Sequence, residues 1–127
     1  MKTILIALLA LAACALSDEM ITLPDGRKAF SAKAIWQGFN YDALQMEPTI
    51  GKRGQVYGTV EKTARDADGK PFILLAVTGE LGAVKCTFGE SAVAELRGLL
   101  GKRVVVSGVI KGMTLSIVTF TDCVITK

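Results

Sequence analysis

The chain has 127 residues, of which half are apolar and 21% are charged, and its formal net charge is +3. This length suits one small domain with a single packed core, and the composition excludes a disordered or low-complexity chain. The sequence contains no histidine, so it lacks the commonest general base and the commonest metal ligand. We therefore expect a non-enzymatic protein without a metal or another cofactor.

The first residues have the pattern of a secretion signal. Lys2 precedes an apolar run over residues 4–13, which is shorter than the roughly 20 apolar residues that a membrane-spanning helix needs. The run ends in residues 11–14, with the sequence LAAC. These residues resemble the lipobox of bacterial lipoproteins, in which small residues precede a cysteine that is lipidated and becomes the new N-terminus. The resemblance implies a lipid anchor on Cys14.

A lipidated Cys14 would hold the domain at a membrane. Each buried methylene contributes roughly 0.8 kcal/mol, so several acyl chains make a stable anchor. By this resemblance residues 1–13 are the signal peptide and the protein lies on the periplasmic side of the bacterial envelope. Ala15 follows the cysteine instead of an acidic residue, which implies the outer membrane in a Gram-negative host. The alternative is ordinary signal cleavage after Ala15 or Ser17, which would discard Cys14.

A short tether and a helix are expected next. Residues 14–30 are mixed in character and contain a Pro-Asp-Gly turn signal, so we interpret them as a tether to a domain over residues 31–127. From Ser31 to Met46 the apolar spacing approximates one helical face, with Ser31 as the N-cap and an interruption near Gly38. A proline shortly after Met46 ends this helix.

Beyond residue 50 the apolar period changes from helical to two, which predicts strands with one helical insert. The predicted strands are residues 52–64, 71–77, 84–88, 103–110 and 115–125, and the predicted insert is a short amphipathic helix over residues 90–100, ended by Gly101. Gly58 and Gly108 lie inside strands, where glycine marks bulges or bends that suit a closed sheet. The predicted fold is mainly β: a five-stranded OB-fold Greek-key barrel with a short helix between its third and fourth strands and a preceding N-terminal helix.

Several of these stretches resemble the tRNA anti-like family of OB-fold proteins. They are residues 54–60 (GQVYGTV), 84–88 (VKCTF), 100–108 (LGKRVVVSG) and 122–125 (DCVI), preceded by a helix that carries Asn40. The resemblance implies an OB-fold and an exported or envelope location, because members of the family are mostly uncharacterised proteins of that kind. It implies little chemistry, and the family name is no indication of tRNA binding.

Two cysteines remain if Cys14 is lipidated. Cys86 and Cys123 are an even number for an oxidising compartment. The third and fifth strands of an OB barrel are neighbours, so the two residues could form a disulfide worth roughly 3 to 4 kcal/mol in the chain-entropy model. The alternative is that both are small buried hydrophobic residues of the core. The sequence leaves both interpretations open.

The second and third strands are the usual binding face of an OB-fold. Lys85 and Thr87 point outward there, and Tyr57 is the one ring expected to be exposed among the strands, so these three residues are the candidate ligand face. Binding of single-stranded nucleic acid needs a basic groove with exposed aromatic rings. The basic residues are scattered and diluted by acidic ones. We therefore expect an envelope protein, peptide or glycan partner rather than a nucleic acid.

The densest aromatic cluster contains Trp36, Phe39 and Tyr41. We interpret it as a helix packed across one opening of the barrel, with Trp36 buried, rather than a partner-binding helix, because an uncovered apolar patch is a liability. The first functional hypothesis is a lipid-anchored, non-enzymatic binding module of the envelope. The alternatives are a single-stranded nucleic-acid-binding domain and a structural or stress-related envelope protein.

Overall fold

The structure, a computed structural model, describes residues 20–77, 79 and 81–126. In chain order its elements are β1 (Met20–Thr22), β2 (Lys28–Ser31), α1 (Ala32–Tyr41), α2 (Ala43–Met46), a 3-10 turn (Glu47–Thr49), β3 (Arg53–Arg65), β4 (Pro71–Ala76), β5 (Ala83–Phe88), a second 3-10 turn (Glu90–Ala92), α3 (Val93–Leu96), β6 (Arg103–Thr114) and β7 (Ile117–Thr126). No helix in these ranges is long and apolar enough to cross a membrane.

Five of the strands close into a barrel. They neighbour one another in the order β3, β4, β5, β7 and β6, and β6 also pairs with β3, which closes the ring. β5 and β7 run parallel, whereas the other barrel pairings are antiparallel. This is the strand order of the OB-fold, so the predicted fold class is confirmed.

Alternating side chains of the barrel strands fill its interior. The largest fully buried side chains are Phe88, Phe120, Ile73, Leu75, Val56, Val60, Val84, Val106, Val118 and Cys86. At one end of the barrel α1 contacts all five barrel strands and adds Ile35, Trp36 and Phe39 to the same core. Trp36 is only 4% exposed. The prediction that this helix covers a barrel opening is therefore confirmed.

The helix begins as predicted but breaks later. The Ser31 hydroxyl oxygen accepts a hydrogen bond from the backbone N–H of Ala34 at 3.0 Å, which confirms Ser31 as the N-cap. The break falls at Asp42, whose φ of −144° and ψ of 56° are not helical, and not near Gly38. Gly38 lies inside α1. The absence of a side chain lets α2 approach closely there, since a Cβ atom at Gly38 would lie 2.9 Å from the Met46 sulfur.

The segment predicted as a tether contains two strands. β1 and β2 form an antiparallel hairpin, and β2 pairs in parallel with the barrel strand β3. The hairpin buries Leu23 and Ala29 against Tyr57 of β3. The chain is thus part of the sheet from Met20 onward, and the interpretation of residues 20–30 as tether was wrong. Strands of three and four residues are too short to show an alternating pattern in the sequence.

Two connections differ from their predictions. β6 continues through Lys111 to Thr114, and the turn to β7 is Leu115–Ser116, with φ values of 51° and 65°. Positive φ at both central residues matches the right-handed twist of the flanking strands, so the hairpin turns there and not at the predicted Lys111-Gly112-Met113. The helical insert ends at Leu96 instead of residue 100. Gly98, with a φ of 83°, leaves the helical conformation.

The two strand glycines have different roles. The pairing of β6 with β7 shifts register beside Gly108, where a Cβ atom would lie 2.5 Å from the Cys123 sulfur, so the predicted irregularity is confirmed there. Gly58 pairs regularly with Val104, and the bulge of β3 comes later along the strand. Gly58 is instead a point of close approach, because its Cβ would lie 3.3 Å from that of Ala32 at the start of α1.

Candidate functional site

An apolar concavity lies between the helices and the barrel. This groove, with a volume of about 620 Å³, is bounded by α1 and α2 on one side and by β2 and the start of β3 on the other. Its floor is formed by the partly exposed side chains of Phe30, Ala34 and Met46, and the buried Ile35, Ile110 and Phe120 complete the apolar lining. We call it the helix groove. Small-molecule sites in proteins typically have volumes of about 300 to 1,000 Å³ and mostly apolar walls, so the groove has the dimensions of a binding site.

The rim of the helix groove is basic. Lys28, Lys52 and Arg53 line it, and no acidic side chain of the described residues does. The parallel pairing of Phe30 with Val56 sets Lys28 level with the first residues of β3. The three cations therefore gather at the end of the groove where β2 and β3 begin.

Only part of this positive charge is neutralised. The Arg53 guanidinium donates hydrogen bonds to the Ser107 hydroxyl at 3.2 Å and to the Asp122 carboxylate at 3.0 Å. The Lys28 ammonium donates to the Thr22 hydroxyl at 3.3 Å, a neutral partner. Lys52 is exposed, and its side chain forms no hydrogen bond or ion pair with the part of the chain that the structure describes. Two ammonium groups at the rim are thus available to an anion.

The side chains of β2 alternate between the side that faces the helix groove and the side that faces Tyr57. Lys28 and Phe30 line the helix groove, whereas Ala29, between them, is buried against Tyr57. Phe30 is 43% exposed. The sequence interpretation missed this site because it treated β2 as tether.

The predicted ligand face does not form as expected. Tyr57 is 4% exposed: the β1–β2 hairpin covers it, and the Arg103 guanidinium lies 4.4 Å from the centre of its ring. The expectation of an exposed Tyr57 was wrong because the covering hairpin was not foreseen. Lys85 and Thr87 do share the outer face of β5, but Thr87 is largely buried. Tyr57 pairs with β2 and β6, away from these two residues.

The outer face of β4 and β5 carries an aromatic ring that the sequence interpretation overlooked. Phe72 is half-buried, and the Lys85 ammonium lies 4.7 Å from the centre of its ring. The same ammonium is 4.0 Å from the Asp66 carboxylate. Strand β4 is apolar on both faces, and its residues alternate between buried and half-buried. Because all of them are apolar, the sequence does not show that Phe72 belongs to the outer face.

A second, more polar concavity adjoins this face. It has a volume of about 610 Å³, and its charged lining residues are Asp68, Glu90 and Asp122 with a single cation, Lys70. The Arg65 guanidinium holds the pKa of the Glu90 carboxyl below its ordinary value through a hydrogen bond and charge attraction. The carboxylates do not converge on a metal site: the described residues contain no cluster of three or more metal-ligating side chains. Carboxylates outnumber cations among the lining residues, but Arg65 and Arg53 neutralise Glu90 and Asp122.

Cys86 and Cys123 come together inside the barrel. Both are buried and present as free thiols, on the neighbouring strands β5 and β7. Burial raises the pKa of the Cys86 thiol, and its hydrogen bond and charge interaction with Cys123 raise this pKa further. Both residues fit the interpretation as small side chains of the core, and the disulfide stays a prediction. Cys14, the predicted lipidation site, lies outside the described residues.

Comparison with known proteins adds support for the architecture. No protein-family model and no curated protein matches the chain. Among solved structures, a candidate nucleic-acid-binding lipoprotein from Klebsiella pneumoniae is similar with a TM-score of 0.63 and 16% identity, over 80% of this chain and 92% of that one. RecG bound to a three-way DNA junction matches with a TM-score of 0.49 and 16% identity, over 79% of this chain and 12% of that one. At such identity the Klebsiella lipoprotein shows a shared fold: this chain is a closed OB-fold barrel.

Proposed function

We propose that the chain is a lipid-anchored, non-enzymatic OB-fold module of the bacterial envelope that binds an envelope component through the helix groove. The observation that carries the proposal is the combination of an apolar floor with a basic rim in one concave site. Apolar walls supply binding energy and a few placed polar groups orient the ligand, which is the usual organisation of a small-molecule site.

The proposed anchor would hold the groove close to a lipid surface. Residues 15–19 separate Cys14 from the first strand at Met20. Even a fully extended chain spans at most about 3.6 Å per residue, so Met20 would stand no more than about 20 Å from the attachment point. The similar Klebsiella pneumoniae structure is that of a lipoprotein, which supports the anchored form.

Binding of single-stranded nucleic acid is the second candidate. The observation in its favour is the contact between Phe72 and Lys85 on β4 and β5, the strands on which OB-folds bind oligonucleotides. The similar Klebsiella pneumoniae lipoprotein is a candidate nucleic-acid-binding protein, which supports the same function. Against it, the Asp66 carboxylate lies 4.0 Å from the Lys85 ammonium, and the lining residues of the adjoining concavity include one cation, Lys70, beside three carboxylates. The helix groove is therefore the better-supported site. A purely structural envelope protein is a third alternative, in which neither surface binds a ligand.

The anchor is tested by cell fractionation and mass spectrometry of the full chain. We expect the mature protein to begin at Cys14, to carry acyl groups and to remain with the membranes. A Cys14→Ala variant should leave the membrane fraction, while a Cys123→Ala variant, which keeps the lipobox, should remain. A mature chain that starts beyond Cys14, or a Cys14→Ala variant that still sediments with membranes, would contradict the anchor.

The choice between the two binding surfaces is tested by titrating the full chain with a single-stranded oligonucleotide. Nucleic-acid binding through phosphate contacts weakens steeply between about 50 mM and 200 mM salt. We expect no such salt-dependent binding. If binding does occur and Lys85→Glu abolishes it whereas Lys62→Glu does not, the outer face of β4 and β5 is the functional surface and the second candidate replaces the first.

A further inference from the structure

We propose that the helix groove binds a long-chain carboxylate, with the carboxylate head at Lys28 and Lys52 and the hydrocarbon chain on the apolar floor. This inference rests on the proposed function and names the ligand class of the same site. It commits to a free fatty acid and not to a protein segment or a phosphorylated lipid.

The shape of the groove favours a slender apolar ligand. Its volume of about 620 Å³ lies between a pair of helices and the edge of the barrel, and Phe30, Ile35 and Met46 line it from three different elements. The exposed part of the floor comes from short stretches of α1, α2 and β2, on which a flexible hydrocarbon chain can lie. Methionine adapts its shape to irregular ligands, and Met46 is half-buried at this place.

The exposure of the lining supports an occupant. Phe30 is 43% exposed although its strand neighbour Ala29 is fully buried. The adjoining Ile50 is 46% exposed. Covering this apolar surface with a hydrocarbon chain removes it from water, which contributes roughly in proportion to the area covered.

The charge of the rim favours a carboxylate. Arg53 is already paired with Asp122, whereas Lys28 and Lys52 have no acidic partner among the residues described. Both lysines line the groove beside the first residues of β2 and β3, next to its apolar lining. An elongated molecule with one anionic end matches this combination. A neutral or cationic amphiphile does not.

The test is photolabelling of the full acylated chain in phosphatidylcholine vesicles with hexadecanoic acid that carries a diazirine. After irradiation, we expect peptide mass spectrometry to find the label on residues of α1, α2 or β2 that line the helix groove. Unlabelled hexadecanoic acid should compete, and hexadecylamine, with the same hydrocarbon chain and the opposite charge, should not. Label spread over the surface, or equal competition by the amine, would overturn the proposal.

Matched variants separate the head from the tail. Lys52→Glu, at an exposed position, should lower the labelling about tenfold or more, because it replaces attraction of the head by repulsion. Lys62→Glu makes the same charge change on an exposed part of β3 outside the groove and should leave labelling unchanged. Ala34→Phe, on the lining face of α1, should block labelling while the circular dichroism spectrum stays native. Equal labelling of Lys52→Glu and Lys62→Glu would refute the proposed head site.

The chain's own acyl anchor is the competing occupant, since even a fully extended chain would carry Cys14 no farther than about 20 Å from Met20. Labelling that occurs only after Cys14→Ala replacement would show that the anchor fills the groove, and it would overturn the proposal of a free fatty acid. Failure of this inference is distinguishable from failure of the proposed function. If mass spectrometry finds Cys14 acylated but the chain takes up no photolabel, only the proposed ligand class is contradicted. If Cys14 carries no acyl group, the anchored module is contradicted, whatever the groove binds.

Discussion

The indole N–H of Trp36 donates a hydrogen bond to the backbone carbonyl oxygen of Ser116 at 2.9 Å, and this bond joins α1 to the turn between β6 and β7. The two residues are 80 positions apart in the chain. The contact therefore holds the helix that forms one wall of the helix groove against the barrel. Gly82, in the loop between β4 and β5, lies directly against the same indole ring.

Gly82→Ala should loosen this junction. A Cβ atom at Gly82 would collide with the indole nitrogen of Trp36 and lie 2.8 Å from the Ser116 carbonyl oxygen. These are ring and backbone atoms that cannot move aside cheaply, so we expect a loss of about 1 to 3 kcal/mol in the free energy of unfolding, measured by urea denaturation. Trp36 is the only tryptophan in the sequence, so its fluorescence should also shift.

The control is Gly89→Ala, because a Cβ atom at Gly89 would meet nothing within 4 Å and its φ of −78° suits alanine. We expect the control to match the unaltered chain in stability and fluorescence. If Gly82→Ala were as stable as Gly89→Ala, the packing of α1 against this loop would be refuted.

Trp36→Phe should lower stability by removing the hydrogen bond together with part of the buried ring. The net contribution of one such bond is about 0.5 to 1.5 kcal/mol, and the smaller ring adds an incompletely filled space. A total loss of about 2 kcal/mol is expected in urea denaturation. Tyr41→Phe provides the comparison: Tyr41 is 71% exposed, so its change should be close to zero. Similar losses for the two variants would contradict a specific role of the Trp36 bond.

We expect Cys86 and Cys123 to form a disulfide under oxidising conditions. The two buried thiols interact across the paired strands β5 and β7. Oxidation joins the two thiols through a sulfur–sulfur bond with loss of two protons and two electrons, which a disulfide donor such as oxidised glutathione accepts. The mature chain should then have a mass lower by two hydrogens. Reduction should cost roughly 3 to 4 kcal/mol of stability before any strain. Alkylation of both cysteines in the unreduced, unfolded chain would contradict this prediction.

The reduced chain should lose stability at alkaline pH. Burial and contact with Cys123 raise the pKa of the Cys86 thiol well above its ordinary value of 9.0. The unfolded chain therefore releases this proton above about pH 9 while the folded chain retains it, so the stability that is complete below pH 9 declines as the pH rises towards the folded-state pKa. Urea denaturation across this range should show the decline, and Cys86→Ala should reduce it. A reduced chain whose stability did not fall above pH 9 would contradict the buried, protonated thiol.

The barrel could be predicted from the sequence because its strands are long and their apolar residues alternate. Val56 and Val60 of β3 are fully buried as this pattern requires, and the N-cap at Ser31 carried a recognisable side-chain signal. Turn positions were harder to predict. Leu115 and Ser116 adopt positive φ without being glycine or asparagine, so residue type did not mark the hairpin.

The candidate site escaped prediction because it depends on long-range pairing. β2 has only four residues, and its place beside β3 follows from contacts that no local pattern encodes. The same parallel pairing buries Tyr57 and brings Phe30 and Lys28 to the helix groove. One unforeseen strand thus explains both why the predicted exposure of Tyr57 was wrong and why the site was missed.

Leu23→Ala tests whether this hairpin is a fixed part of the domain. Leu23 is 5% exposed and packs with Ala29 against the Tyr57 ring, so truncating it should cost about 2 kcal/mol, at the low end for buried leucine because the cluster is small. Leu81→Ala, at a position that is 96% exposed, should change stability by much less. Hydrogen exchange should also show faster exchange at the β2 amides that pair with β3. Since β2 supplies Lys28 and Phe30 to the helix groove, the same variant should weaken fatty-acid labelling. If the Leu23→Ala variant kept the stability and the hydrogen exchange of the unaltered chain, residues 20–31 would contribute little to the folded domain.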